Sequence, residues 1–169
     1  MVKLRGSIVL VGALLGRLGK VNFYHPGGDI IGRRSIETHL GGFKALGAIL
    51  KKSNTKYSLY FPQNMTTYNS DIFLPEASVT TTENLILASV LGSRVITLKN
   101  CAKEPHVVDL CRMLTQMGAN IVGIGTDTLI ITGVDRLNGT KFKIGADYIE
   151  VGTYVVATAI TGGEVAVSG

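Results

Sequence analysis

Apolar positions along the chain follow two rhythms in turn. Over 5–18 most sides of a helical wheel are apolar, which predicts a buried helix ended by Gly19. A short strand is predicted at 21–24. From 35 to 46 the spacing is helical again: Ile36, Leu40, Phe43 and Leu46 share one face, and Gly47 closes it. Strands are predicted near 48–50, at 57–61 and at 71–74, with a polar turn over 51–56. The order then restarts with a helix over 82–91 and a strand over 95–98. The next helix opens at Pro105, carries Val107, Cys111, Leu114 and Met117 as its stripe, and closes at Gly118. A hairpin over 120–124 and 129–132 turns around Gly125-Thr126-Asp127. A strand over 141–144, a helix over 155–160, a Gly162-Gly163 turn and a strand over 164–167 complete the pattern.

This is an internal repeat. Leu46-Gly47-Ala48 matches Met117-Gly118-Ala119, a shift of 71 residues, and the same shift carries Ile36 onto Val107, Leu40 onto Cys111 and Phe43 onto Leu114. Each copy has βαβαββ order when the strand before its first helix is counted first. The fold class is therefore α/β (α+β), with units at about 1–76 and 77–147 and a third begun at 148–169. Such units cannot bury their sheets and helices alone, so copies must pack together. The third stops after one helix and one strand, so the chain is expected to be a single partial lobe of a longer protein.

Composition narrows the picture. With 169 residues, 46% hydrophobic and 17% charged, the chain can bury a real core. A net charge of +5 suits anionic small molecules, but no Lys/Arg block is interleaved with aromatics, so nucleic acid is not expected. Cys101 and Cys111 lack metal-ligand spacing, and no metal is expected. Cys111 falls on an apolar stripe, and two thiols in such a chain fit a reducing cytoplasm. Lys3 and Arg5 before the apolar run of 8–15 imitate a secretory leader, but Arg17 and Lys20 follow at once and no small-residue cleavage site appears. No apolar run approaches the roughly 20 residues that span a bilayer.

The stretch richest in chemistry is His25-Pro26-Gly27-Gly28-Asp29-Ile30-Ile31-Gly32-Arg33-Arg34-Ser35-Ile36-Glu37-Thr38-His39. A Pro-Gly-Gly loop can lie against a ligand. Two guanidiniums just before a helix N-terminus favour an anion, because free N–H groups and the dipole add to their charge. Asp29 in the same loop suggests an acid working beside a bound phosphate.

These residues carry a resemblance. Pro-Gly-Gly-Asp-x-Ile-Gly-x-Arg, Leu46-Gly47-Ala48, Ser78-Val79-x-x-Thr82-Glu83-Asn84, Ala102-Lys103-Glu104-Pro105-x-Val107-Val108-Asp109-Leu110, Gly125-Thr126-Asp127 and Asp147-Tyr148-Ile149-Glu150-Val151-Gly152-Thr153 occur in the order of the UDP-N-acetylglucosamine enolpyruvyl (1-carboxyvinyl) transferase family, which the chain resembles from about Arg5 to its C-terminus. The resemblance implies transfer of enolpyruvate from phosphoenolpyruvate to the 3′-hydroxyl of UDP-N-acetylglucosamine, in peptidoglycan synthesis. It implies two lobes, each of three βαβαββ units, closing over the substrates. The expected partners are those two substrates and the second lobe of the parent enzyme; no cofactor and no membrane are expected, and the chain alone is expected to be inactive.

By the same resemblance, Asp29 stands where the family usually has the Cys that donates a proton to the enolpyruvyl methylene and is alkylated by fosfomycin. Arg34 matches the loop arginine on the phosphoenolpyruvate side, and Arg5 an arginine that helps hold the substrates. Ser35, Ile36, Glu37 and Thr38 fall in the uridine-binding segment. Glu76, Ala77, Ser78 and Val79 fall in a uridyl- and phosphate-contacting one, where Glu76 replaces an expected Lys. Tyr148 and His106 replace an Arg and a Glu of the family pattern.

Plainer readings stand beside these. Gly-rich loops before helices are common, Arg pairs are usually solvated, and Arg5 can serve packing alone. Ser78 reads equally as a helix N-cap, Glu37 as a solvated first-turn acid, His39 and His106 as surface or cap residues, and Asp127 as a turn residue. Two rivals share the fold: the shikimate-pathway enolpyruvyl transferase, whose Gly-Asn-Ala-Gly-Thr type of loop is absent from this sequence, and a non-catalytic or RNA-end-processing relative, which the positive charge favours.

Overall fold

The computed structural model describes residues 3–28, 35–63 and 68–168. A 3-10 turn, Arg5–Ile8, runs into helix α1, Val9–Leu18. Gly19 ends α1 at φ 68°, a left-handed angle that glycine adopts without strain, and its N–H donates to the Leu15 carbonyl at 2.9 Å. Strand β1 (Lys20–Tyr24), helix α2 (Glu37–Ala45) and the hairpin β2 (Ile49–Ser53) and β3 (Lys56–Tyr60) follow. Then come β4 (Asp71–Phe73), α3 (Val79–Ser89), β5 (Val95–Lys99), α4 (Pro105–Gln116), β6 (Asn120–Val122), β7 (Thr128–Thr132) and α5 (Tyr148–Thr161).

The strands form two sheets, ordered β1-β3-β2 and β4-β5-β7-β6. In each, the last strand of a hairpin lies in the middle, antiparallel to both neighbours. The registers correspond as well. Lys20 and Ile49, the first residues of β1 and β2, flank Tyr60; Val95 and Asn120, the first residues of β5 and β6, flank Thr132. β4 adds a parallel strand to β5 and so belongs to the second sheet. The segment β4-α3-β5-α4-β6-β7 thus runs in βαβαββ order.

Each sheet buries one face and leaves the other to solvent, as the alternation in β1, β3 and β5 requires. Phe23, Leu59, Ile96 and Ile131 point inward and pack with Phe43, Leu85 and Leu114 from the helices. Each such side chain, fully buried, contributes roughly 1.5–3 kcal/mol. α1 lies along α3. Their close approach depends on glycine: a Cβ at Gly12 would stand 2.2 Å from the Asn84 carbonyl oxygen, and one at Gly16 2.7 Å from that of Leu87.

The expected stripes are in the core. Ile36, Leu40, Phe43 and Leu46 are buried, as are Val107, Cys111 and Leu114; Met117 is half-buried. Several expectations change. α1 is buried on one side, through Val11 and Leu15, whereas Leu10, Leu14 and Leu18 are exposed, so it is not enclosed all round. β2 continues through Lys51 and Lys52, because the hairpin turns later, at Asn54, which takes φ 50°. The runs 141–144 and 164–167 are not strands. The first crosses α4, where Phe142 and Ile144 line a cleft with Leu110 and Met113. The second lies beside α5. Alternation alone does not make a strand where no neighbouring edge supplies the ladder.

Candidate functional site

Arg5 gathers the first part of the site. Its Nη2 donates to the Ser35 carbonyl at 2.9 Å. Gly28 backs onto the same residue: it takes φ 103°, and a Cβ there would stand 2.9 Å from Arg5 Cβ. Gly28 and Ser35, the described residues on either side of 29–34, are therefore both held at Arg5. Asp29 and Arg34, the expected catalytic pair, lie outside the described residues.

Ser35 is exposed and opens α2, its Oγ accepting from the Glu37 N–H at 3.0 Å. Ile36 sits at the N-cap position with its side chain 2% exposed in the core, so a ligand at this point would meet its backbone. Glu37 is exposed and Thr38 half-buried. Thr38 meets the second expected segment directly, since Thr81 Oγ1 donates to Thr38 Oγ1 at 3.2 Å. Ser78 caps α3 by accepting from the Thr81 N–H at 3.4 Å; Val79 and Thr80 follow half-buried, while Glu76 and Ala77 are exposed. The chain thus brings Arg5, the 35–38 segment and the start of α3 together. The first amides of α3 have no carbonyl within the helix to bond and favour an anion.

Two clefts border this region. One of about 390 Å³ lies between Glu37, Thr38 and Gly41 of α2 and the Leu74-Pro75 turn. Another of about 280 Å³ is lined by Ala77, Cys101, Lys103 and Glu104. Burial pushes the Cys101 thiol up to about 12 and the Cys111 thiol to about 11, so both stay protonated and poorly nucleophilic. Burial also raises the Glu83 carboxyl; His106 opposes that shift and Glu104 adds to it. Glu104 Oε2 is buried with no hydrogen-bond partner among the described residues. Among those residues no group of three or more His, Cys, Asp or Glu is placed to hold a metal ion. No helix among them is long and apolar enough to cross a membrane.

A separate cleft of about 680 Å³ lies between α4 and the 142–149 segment. His106 and Tyr148, two of the departures from the family pattern, stack there with ring centroids 6.1 Å apart and planes at 10°.

His39 corrects the expectation of a surface or cap residue: it is 3% exposed. Its Nδ1 is 3.0 Å from Asn84 Nδ2 and its Nε2 3.3 Å from Thr80 Oγ1. The signal was in the spacing. His39 stands three residues after Ile36 and four before Phe43, on the apolar face of α2. Asn84 and Thr81, both fully buried, were also missed as polar members of the core.

The chain matches the EPSP synthase (3-phosphoshikimate 1-carboxyvinyltransferase) family over residues 1–169 and belongs to it. Among curated relatives, the UDP-N-acetylglucosamine 1-carboxyvinyltransferase of Borreliella burgdorferi is 47% identical over 161 residues, covering 95% of this chain and 37% of that protein. That of Treponema denticola is 44% identical over 166 residues, covering 98% of this chain and 38% of the relative. The chain therefore spans less than two fifths of the length of these relatives. The enolpyruvyl transferase NikO from Streptomyces tendae superposes with a TM-score of 0.71 at 20% identity, over 91% of this chain and 36% of that one. An EPSP synthase from Acinetobacter baumannii gives 0.62 at 21%, over 92% and 35%. At such identities these two establish the shared fold.

Proposed function

We propose that this chain supplies part of one lobe of a UDP-N-acetylglucosamine 1-carboxyvinyltransferase, with α5 opening a third repeat unit; β4, expected to close the first unit of about 1–76, pairs with β5 and opens the second, which moves that boundary to before Asp71. The observation that carries this reading is the 47% identity, sustained over 161 residues, to a relative of that name. The 3′-hydroxyl oxygen of UDP-N-acetylglucosamine adds to C2 of phosphoenolpyruvate while C3 takes a proton. Loss of a C3 proton and of phosphate then leaves the enolpyruvyl ether. The shikimate-pathway alternative is less favoured, because the curated relatives at 47% and 44% identity are UDP-N-acetylglucosamine 1-carboxyvinyltransferases.

In this reading Asp29 donates the proton to the methylene and Arg34 holds the phosphate of phosphoenolpyruvate. Arg5 helps hold the substrates. Ser35, Ile36, Glu37 and Thr38 receive the uridine, and Glu76, Ala77, Ser78 and Val79 the uridyl and phosphate groups at the start of α3. The contacts of Arg5 with Ser35 and of Thr81 with Thr38 support this grouping, since they join stretches far apart in sequence. Groups from a second lobe complete the cleft, because phosphate charge and proton transfer must be handled together. In this reading the reaction is cytoplasmic, a placement that the two free thiols, Cys101 and Cys111, support.

The test has two parts. The isolated chain should release no phosphate from phosphoenolpyruvate and UDP-N-acetylglucosamine; robust turnover would refute a partial lobe. In the intact parent, Asp29→Asn should lower turnover by about 10²–10⁴-fold, the usual contribution of a general acid. Asp29→Cys should keep activity and bring sensitivity to fosfomycin, since a thiolate opens an epoxide far faster than a carboxylate does. Full activity of Asp29→Asn would remove Asp29 from the chemistry.

A further inference from the structure

A buried polar chain runs beneath the start of α3, and the proposed chemistry does not use it. The Gly12 N–H of α1 donates to Asn84 Oδ1 at 2.7 Å. That bond fixes the amide, because the reverse orientation would set two donors face to face. Asn84 therefore presents its NH2 to His39 Nδ1, 3.0 Å away. An amide nitrogen donates and does not accept, so Nδ1 carries no proton and the ring proton is on Nε2. Nε2–H points at Thr80 Oγ1, 3.3 Å away, and donates to it. The Thr80 hydroxyl then keeps its own proton for another acceptor.

Thr80 is the second residue of α3, two past the Ser78 cap, and half-buried at the mouth of the region assigned above to the uridyl and phosphate groups. We propose that His39 is a positioning residue: held as its Nε2–H tautomer through Asn84 and the Gly12 amide, it directs the Thr80 hydroxyl proton toward an anionic oxygen of the nucleotide at the start of α3. This rests on the nucleotide reading of that segment. It adds a side-chain donor that the sequence did not disclose, supported from a helix that does not touch the ligand.

The surroundings keep the ring neutral. Burial, and then the nearby Arg5 charge, lower His39 to about 4. α1 offers one ionisable group, Arg17 in its last turn, and α3 offers Glu83, whose charged neighbours are His106 and Glu104. On α2 itself, Glu37 and Lys44 lie in the first and last turns. Among the described residues no carboxylate is paired with the ring to pull a proton onto Nδ1.

Two measurements on this chain test the proposal. Imidazole ¹⁵N spectra of the free chain should show His39 with a bare Nδ1 and a protonated Nε2, unchanged from about pH 8 to pH 5. A protonated Nδ1, or a midpoint near the ordinary histidine value, overturns it. Asn84→Asp keeps the shape but offers the ring an acceptor, so the proton should move to Nδ1 and the Thr80 hydroxyl should turn to donate to the ring. UDP binding, followed by titration calorimetry, should then weaken about 10-fold, the worth of one hydrogen bond to a charged group. Thr80→Val should cost the same, Thr80→Ser should restore binding, and Asn84→Asp with Thr80→Val should cost no more than either alone. UDP binding unaffected by Thr80→Val overturns the positioning role even if the tautomer is right. A wild-type chain that ignores millimolar UDP overturns the nucleotide reading, and with it the role given to Thr80; the ring spectrum then shows separately whether the relay exists.

Discussion

α3 and α5 are both apolar helices with a side-chain cap. Ser78 accepts from the Thr81 N–H at the start of α3, and Asp147 accepts from the Ile149 and Glu150 N–H groups at the start of α5. Their environments are opposite. α3 buries Thr81, Thr82, Asn84, Leu85, Ile86, Ala88 and Ser89 against α1 and α2, whereas α5 buries none of its residues and exposes Ile149, Val155, Val156 and Ile160. Local sequence makes both helices; a partner makes one of them core. Even polar side chains are enclosed in α3, because Asn84 and Thr81 find their partners on α1 and α2.

Truncation should separate the two helices most widely. Leu85 is fully buried, so Leu85→Ala should lower unfolding stability by about 2–5 kcal/mol in denaturant titrations. Val155, 52% exposed, should tolerate Val155→Ala within about 0.5 kcal/mol. Equal losses at the two positions would mean that α5 is covered in solution, and the contrast would collapse.

Acid should act on the α2–α3 side. His39 is lowered to about 4 from 6.5 by burial first and Arg5 second, so the fold favours the neutral ring. Its stability is fully present above about pH 6.5 and declines as pH falls toward 4, by up to about 1.4 kcal/mol per pH unit and about 3 kcal/mol in all. His39→Gln should be less stable at neutral pH and should lose this dependence. Denaturant midpoints between pH 7 and pH 4 measure it, and an unchanged slope in His39→Gln would assign the acid sensitivity elsewhere.

The same contrast marks what the sequence could disclose. α4 was legible because its signals are local and agree: Pro105 at the first position, a stripe through Val107, Cys111 and Leu114, and Gly118 in a left-handed turn at φ 103°. The strands of both sheets were legible from period two, to within a residue or so at most ends. The runs 141–144 and 164–167 carried the same alternation and are not strands, since pairing is a property of two segments. His39 was misplaced for a related reason: its burial depends on Asn84, 45 residues away, and on a glycine in α1. The meeting of Arg5 with Ser35 and of Thr38 with Thr81 was reachable by resemblance alone, because no local pattern encodes a contact between helices.

The finest test lies in the helical glycines. Gly12 and Gly152 both sit inside helices, where alanine is intrinsically better by roughly 0.8–1 kcal/mol. At Gly12 a Cβ would stand 2.2 Å from the Asn84 carbonyl oxygen and 2.7 Å from Asn84 Oδ1. Neither atom can yield freely, since one is backbone and the other holds the Gly12 amide. Gly12→Ala should therefore push α1 off α3 and cost about 1–3 kcal/mol despite the better propensity. At Gly152 nothing lies within 4 Å of the added carbon, so the propensity term stands alone and Gly152→Ala should strengthen α5 by somewhat under 1 kcal/mol. Because α5 packs little on the rest of the chain, that gain should register as slower amide hydrogen exchange within 148–161 more than as a higher global midpoint. Opposite signs at the two glycines are the expected result. A loss at Gly152 would show a close neighbour over that face of α5, and the comparison of the two helices would then rest on a partner present in solution.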